Sequence, residues 1–471
     1  MMILGLCIAL LIAGYFTYAK VVDRIFGPDP LRATVAMAAP DGVDSMPMPT
    51  WKVFSIQLLD IAGIGPVFGP ILGALYGPYA LLWIVVGTLF AGGVHDYFSG
   101  MLSVRHGGGS LPAVIGELMG RPARVVMRVF TVLLLMLVGV VFVLSPAKLL
   151  AALTGWDTLL LVCAIFVYYF LATVLPIDRF IGRLYPLFGA LLLFMAFSIL
   201  GGLLLSDHPV LSNLSFNPAQ HPGGLPVWPL LFITLSCGAI SGFHSTQSPI
   251  MARCIRSEKN GRLVFYGAMV AEGIIALIWA TVGMSFYDSP EALNAVIAKG
   301  TPALVVTEAC RGLLGPVGAV LAILGVIVLP ITSGDTAFRA TRLILAETFR
   351  VNQTRPMKRL YIAVPLFLVA IAISTHEFDL IWRYFGWSNQ VLSSLMLWAA
   401  AIYLVKARKP HWIASLPATF MTAVVIAFIL QSNIGYGLAP KVSNIVGGVA
   451  ALLVLGALET RRLKLRSRWK T

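Results

Sequence analysis

Apolar residues run along this chain in stretches of about 20, long enough at 1.5 Å per helical residue to cross a hydrocarbon core roughly 30 Å thick. The stretches fall at 1–19, 53–76, 79–103, 123–145, 158–176, 185–205, 226–250, 263–287, 313–332, 360–375, 380–405, 412–431 and 442–458. They predict an all-α polytopic membrane protein with about thirteen transmembrane helices. An odd number of crossings puts the two termini on opposite faces. The longest connections, 20–52 and 333–359, have room for short amphipathic helices at most, so residues 1–471 are expected to form one membrane domain.

Most stretches are plain Leu, Val, Ile and Ala, but two are not. Span 53–76 contains Gly63, Gly65, Pro66, Gly69 and Pro70. Span 226–250 contains Gly238, Gly242 and Pro249 among Ser236, Ser241, His244, Ser245, Thr246, Gln247 and Ser248. Proline removes an amide donor and glycine lets a helix unwind, so both spans are predicted to be discontinuous. Unwound backbone at membrane depth is tolerated where it is buried in protein or lines a wet cavity. The second break opens five spans after the first and therefore runs the other way. Residues 53–205 and 226–405 then form two five-helix halves related by inversion, the mark of a secondary transporter with a midplane site. Residues 1–52 supply an extra N-terminal helix and loop, and 412–471 two C-terminal helices and a basic tail. Helix N-termini at such breaks favour anionic groups and exposed carbonyls favour cations, which suits a carboxylate substrate with a coupling cation.

Composition strengthens the membrane reading, since 58% of the residues are hydrophobic and only 11% are Asp, Glu, Lys or Arg. A soluble enzyme does not carry so little charge. The net charge of +14 raises nucleic acid as a partner, but the placement of the cations argues otherwise. Of 34 Lys and Arg residues, 28 fall on one face. Lys148, Lys299, Arg311 and Lys441 fall on the other, with Arg128 and Arg383 inside spans. The basic face is therefore expected to be cytoplasmic, with the N-terminus outside and the C-terminus inside a plasma (inner) membrane. The tail from Arg461 to Lys470 is placed to meet anionic lipid headgroups, its expected partners beside a small-molecule or peptide substrate. The first segment lacks a basic n-region and a cleavage site and reads as a retained helix. Five cysteines without C-x-x-C spacing suggest packing residues rather than disulfides or a metal site.

Several motifs resemble the carbon starvation protein A family. They are Asp41-Gly42-Val43-Asp44, the run from Ile61 to Leu72, Gly93-Val94-His95-Asp96 and the run from Cys237 to His244. Further along come Glu272-Gly273 before Ala276 to Ala280, Thr332 to Asp335, and Phe385-Gly386 leading to Asn389-Gln390. The resemblance implies an inner-membrane transporter expressed when carbon is scarce, with members linked to uptake of peptides and of pyruvate. It also implies the amino acid-polyamine-cation fold, a five-plus-five inverted repeat. Larger members carry a His pair ahead of the first break, where this chain has Ser55, Ile56 and Gln57, and its Pro176 to Arg179 connection is compact. It resembles the short branch.

Ionisable groups inside spans are costly and so point to function. Asp60, one turn before Gly63, could bind a cation or carry a proton. His95 and Asp96 are adjacent, point to different helix faces, and suit gating or orienting better than a shared metal site. His244, in the second break, titrates near neutrality when unperturbed and is the preferred substrate or proton residue. Glu272 lies mid-span among apolar neighbours, where a structural carboxyl and a proton carrier are equally compatible. Substrate is expected at Gly63, Gly65, Pro66, Gly69, Ser236, Gly238, Ser241, Gly242, His244, Gln247 and Asn389. In relatives of the implied fold, hydroxyls of the eighth core helix hold a cation against carbonyls of the first break. Here that corresponds to Thr332 and Ser333 with Ala62 to Gly65, and Na⁺ could be held by Ala62, Gly65, Thr332 and Ser333. Asp335 could instead take a proton. No cofactor is expected, because an H⁺ or Na⁺ gradient would drive the work. An intramembrane enzyme would need paired catalytic groups, and no H-E-x-x-H or complete G-x-G-D occurs. A channel or starvation sensor is the remaining alternative.

Overall fold

The computed structural model describes residues 2–40, 45–174, 181–206, 208–211, 216–353 and 356–468. Asp41 to Asp44, Pro176 to Arg179 and Arg355 lie outside these. The regular structure of the described residues is entirely helical. In chain order the main helices are α1 (Met2–Phe26), α2 (Thr50–Ile61), α3 (Gly65–Tyr76), α4 (Pro78–Arg105), α5 (Arg121–Thr154), α6 (Thr158–Val174) and α7 (Ile181–Leu205). They continue with α8 (Val227–Thr234), α9 (His244–Ala252), α10 (Glu258–Ser285), α11 (Pro290–Phe349), α12 (Pro356–Ser374), α13 (Phe378–Lys406), α14 (Trp412–Gln431) and α15 (Pro440–Arg468).

Among the described residues ten helices are long and apolar enough to cross a membrane, eleven if the bent pair α2 and α3 counts as one span. The other two predicted spans fall on α6, which has 17 residues, and on α8 and α9 with their connection. Two further expectations need correcting. Helix α11 runs on from the predicted 313–332 span to Phe349, through what reads as a loop in the sequence. Its hydropathy drops after Ser333, yet Ala337, Phe338, Thr341, Arg342 and Ala346 keep one face buried, so the helix continues as an amphipathic one. Helix α1 likewise extends past residue 19 to Phe26, where Gly27 ends it in the left-handed conformation.

Both predicted breaks are present. Helices α2 and α3 meet at 50° across Ala62 to Ile64, and Pro66 occupies the first turn of α3, where a missing amide costs nothing. Helix α8 stops at Thr234, residues 235–243 are unwound, and α9 begins at His244. Gly238 sits there at φ +84°, a conformation that excludes most other residues. Four helices, α4 to α7, separate the first break from the second. Another four, α10 to α13, follow the second before α14 and α15.

The breaks are packed against each other in the middle of the protein. A Cβ on Gly65 would lie 2.4 Å from the Cys237 side chain, and one on Gly69 3.3 Å from the Thr234 carbonyl. Gly63 is closed off by Phe142 of α5, and Gly242 by the backbone of Asn389 on α13. Helices α4 and α10 flank the breaks, and each interrupts its α-helical hydrogen bonding with a π-turn, Thr88–Gly92 and Arg262–Gly267. The two π-turns touch, for Tyr266 Oη donates to the Leu89 carbonyl at 2.6 Å.

Candidate functional site

Four fully buried ionisable side chains form a line across the breaks. His95 Nδ1 is 2.7 Å from Asp96 Oδ1 on α4, and His244 Nδ1, at the start of α9, is 2.8 Å from Asp96 Oδ2. His244 Nε2 is in turn 3.3 Å from Glu272 Oε2 on α10, whose Oε1 accepts from the Gly238 amide at 3.1 Å. His95 and Asp96 leave different faces of α4, as expected from their adjacency, but their side chains still meet. Their Cβ atoms leave the helix about 100° apart, yet an imidazole and a carboxylate are long enough to meet beside it. His95 Nε2 is buried without a hydrogen-bond partner among the described residues. Two imidazoles and two carboxylates reach neutrality with two bound protons beyond the neutral imidazoles and free carboxylates. Burial penalises every other charge state, so the line is held at neutrality and its proton count changes only if its partners or surroundings change.

The unwound segment 235–243 is held by polar side chains of α13 and α4. Asn389 donates to the Ser236 carbonyl, accepts from the Phe243 amide at 2.8 Å, and exchanges hydrogen bonds with Ser241 Oγ at 3.1 and 3.2 Å. Gln390 donates to the Phe232 and Ile240 carbonyls at 3.1 and 3.2 Å, and Thr88 Oγ1 to the Gly238 carbonyl at 3.0 Å. These bonds satisfy backbone groups that unwinding would leave bare. Asn389, expected at the substrate, is therefore a brace on the segment that would bind it. Thr88 escapes sequence reasoning, although it is a single hydroxyl in the apolar run from Leu81 to Gly93, and Tyr266 escapes with it.

The other predicted residues divide into two groups. Ser241 and Gln247 are buried beside the quartet, with Gln247 donating to Thr246 Oγ1 at 2.9 Å, and Ser236 is buried in the unwound segment with its Oγ unpartnered among the described residues. Gly65, Pro66, Gly69 and Gly238 lie at the break-to-break contact, while Gly63 faces Phe142 of α5 and Gly242 faces α13. At the proposed ion position Ser333 Oγ lies 3.3 Å from the Leu59 carbonyl and 3.2 Å from that of Asp60, just ahead of Ala62 to Gly65. Thr332 turns back to its own helix and donates to the Leu329 carbonyl at 2.9 Å. Asp60 is buried at the end of α2, and Asp335 is buried one turn from Arg339, whose Nη2 is 3.7 Å from it. Arg383 is exposed on α13.

On the basic face a second cluster locks the ends of four elements. Buried Glu258 accepts from Arg105 Nε and Nη2 at 3.1 and 3.0 Å and from the Asp29 amide at 2.7 Å. Arg105 also donates to Tyr403 of α13 and to the Gly27 carbonyl, and lies over the Phe26 ring. Burial lowers the pKa of neighbouring Lys409, which donates to the Phe26 carbonyl.

The sequence profile of the family described as carbon starvation protein CstA matches residues 1–160, 143–303 and 294–427. An uncharacterized membrane protein of Haemophilus influenzae is 47% identical over 62% of this chain and 93% of its own length. The peptide transporter CstA of Campylobacter jejuni is 25% identical over 96% of this chain and 83% of its own. The pyruvate/proton symporter BtsT of Escherichia coli is 26% identical over 57% of this chain and 46% of its own. Among solved structures, a manganese transporter of Eremococcus coleocola has a TM-score of 0.56 at 16% identity, over 90% of this chain and 98% of that one. A nucleobase-cation-symport-1 family transporter has the same score at 14% identity, over 93% and 96%. The fold is thus the five-plus-five inverted repeat of membrane transporters, and the intramembrane-enzyme reading falls away. The chain is a multi-pass membrane protein that belongs to the carbon starvation protein CstA family.

Proposed function

We propose that this protein imports small carboxylate-bearing nutrients, short peptides or monocarboxylates such as pyruvate, together with protons, by alternating access across a bacterial inner membrane. The observation that carries the reading is the buried line His95, Asp96, His244, Glu272. It joins α4, α9 and α10, so movement of α9 relative to its neighbours changes the partners of His244 and with them its hold on a proton. The names of the relatives, a peptide transporter and a pyruvate/proton symporter, agree with both parts of the proposal. The 28 cations on one face favour an N-terminus outside and a cytoplasmic C-terminus. Sodium coupling is the second reading, favoured by the hard oxygens of Ser333, Leu59 and Asp60.

Uptake of labelled pyruvate and labelled tripeptide into proteoliposomes, under separately imposed inward H⁺ and Na⁺ gradients, tests both. Saturable uptake driven by the H⁺ gradient alone is expected for at least one substrate. Uptake driven only by Na⁺ would transfer the coupling role to the Ser333 position. No saturable uptake of either substrate, in vesicles shown to be tight, would overturn the proposal.

A further inference from the structure

On the basic side of the breaks a cavity of about 350 Å³ separates α9 from the last turns of α11. One wall is Thr246, Pro249, Ile250 and Arg253, and the other is Thr336, Arg339, Leu343 and Glu347. With Ile250 beside Pro249 the first set steps by three residues and the second by three to four, so each wall is one face of a helix and the cavity is a groove running along both. Ser110 and Thr131 also line it. Thr131 is buried, and its Oγ1 has no hydrogen-bond partner among the described residues, a polar group left over by the protein itself.

Charge of both signs lies along the α11 wall. Arg339 commits Nη2 to the Ala172 carbonyl at 2.9 Å and lies beside Asp335. A guanidinium carries five N–H donors in a flat fork, so its remaining edge suits a carboxylate. Eight residues further, which is ~12 Å along a helix, Glu347 stands at the rim with its side chain 57% exposed and Arg128 Nη2 3.6 Å away. Leu343 lies between the two charges. A three-carbon acid could use only one end of such a groove. An extended tripeptide spans ~10–11 Å at 3.3–3.6 Å per residue, close to the helical rise between the two positions.

We infer that this groove binds an extended zwitterion of about three residues, with its free carboxylate on Arg339, its free ammonium on Glu347 and a backbone amide on Thr131 Oγ1. The assignment deepens the transport reading and rests on it. The groove runs along α9, the helix that His244 begins, so one helix carries both a wall of the groove and a member of the proton line.

The test is equilibrium binding of trialanine, N-acetyl-trialanine, trialanine amide and pyruvate to the purified full chain in lipid nanodiscs, followed by calorimetry. Trialanine is expected to bind, and each blocked form to bind more weakly by about tenfold or more, the loss of one charge-assisted contact. In R339Q the free and amidated peptides should become equal, and in E347Q the free and acetylated ones. Glu347 lies at the exposed rim, so E347Q keeps the assignment testable if R339Q, which deprives buried Asp335 of its neighbour, fails to fold. Equal binding of free and blocked peptides to the unmodified chain, or the same loss for every ligand in both variants, overturns it. Proton-driven pyruvate uptake by the same purified protein, reconstituted into tight proteoliposomes, separates the two proposals. Uptake without discrimination between peptide ends removes the groove assignment and leaves proton coupling intact.

Discussion

His244 and Asp96 are 148 residues apart in the chain and meet at 2.8 Å in its buried centre. The contact ties the start of α9, directly after the second break, to a helix of the other half of the repeat. Asp96 takes His95 on one oxygen and His244 on the other, so it is the middle of the line rather than an end.

Asp96→Asn keeps one acceptor and replaces the other with an amide that cannot accept. Either His95 or His244 then loses a charge-assisted hydrogen bond, a loss of about 1.5–3 kcal/mol. Gradient-driven uptake is expected to fall by about tenfold or more, while exchange of labelled for unlabelled substrate at equal pH on both sides persists. Comparing uptake with exchange in proteoliposomes checks this. Equal loss of both would make Asp96 a structural residue.

Asn389 braces the unwound segment through the Ser236 carbonyl and the Phe243 amide. Asn389→Ala leaves both buried without partners, at a cost of about 1–3 kcal/mol each. A lower thermal midpoint and loss of uptake are expected together. Thermal unfolding in detergent measures the first. An unchanged midpoint would mean that the segment finds other partners and that Asn389 serves the substrate directly.

The breaks were legible in the sequence because proline and glycine act locally, and the 28 basic positions on one face follow from charge alone. Helix α11 beyond Ser333 was not legible as a continuation, because Arg339, Arg342 and Glu347 lower its hydropathy while its burial comes from the partner helices. The quartet was legible as four residues and not as a line. His244 and Glu272 were each singled out for being ionisable at membrane depth. Their partnership with Asp96 depends on how α4, α9 and α10 converge, which no spacing along the chain encodes. Thr88 and Tyr266 are the same case, since their role is to satisfy carbonyls bared by unwinding and by a π-turn elsewhere.

Gly65 illustrates packing that glycine alone permits. A Cβ there would fall 2.4 Å from both Cβ and Sγ of Cys237, so Gly65→Ala must push the two breaks apart. Overpacking of this kind costs about 1–3 kcal/mol. Removing the obstructing side chain with Cys237→Gly should recover part of the loss in the double variant, which a double-mutant cycle on thermal stability would read as a favourable coupling. Additive losses would show that the two residues do not share the contact.

Ser333 and Thr332 are neighbours with different attachments, and the difference decides between coupling ions. Ser333 Oγ reaches across to the Leu59 and Asp60 carbonyls, whereas the Thr332 hydroxyl is bonded within α11. If the pair of helices is held by the Ser333 bridge alone, Ser333→Ala costs about 0.5–1.5 kcal/mol of stability, Thr332→Ala costs less, and H⁺-driven uptake survives in both. If Na⁺ occupies the site during transport, Thr332 must rotate to join the oxygen set, since hard cations need several ligands. Both variants would then weaken Na⁺ activation by a similar factor. Titrating uptake with Na⁺ at fixed pH in the two variants distinguishes these outcomes, and the H⁺ reading predicts no Na⁺ response to lose.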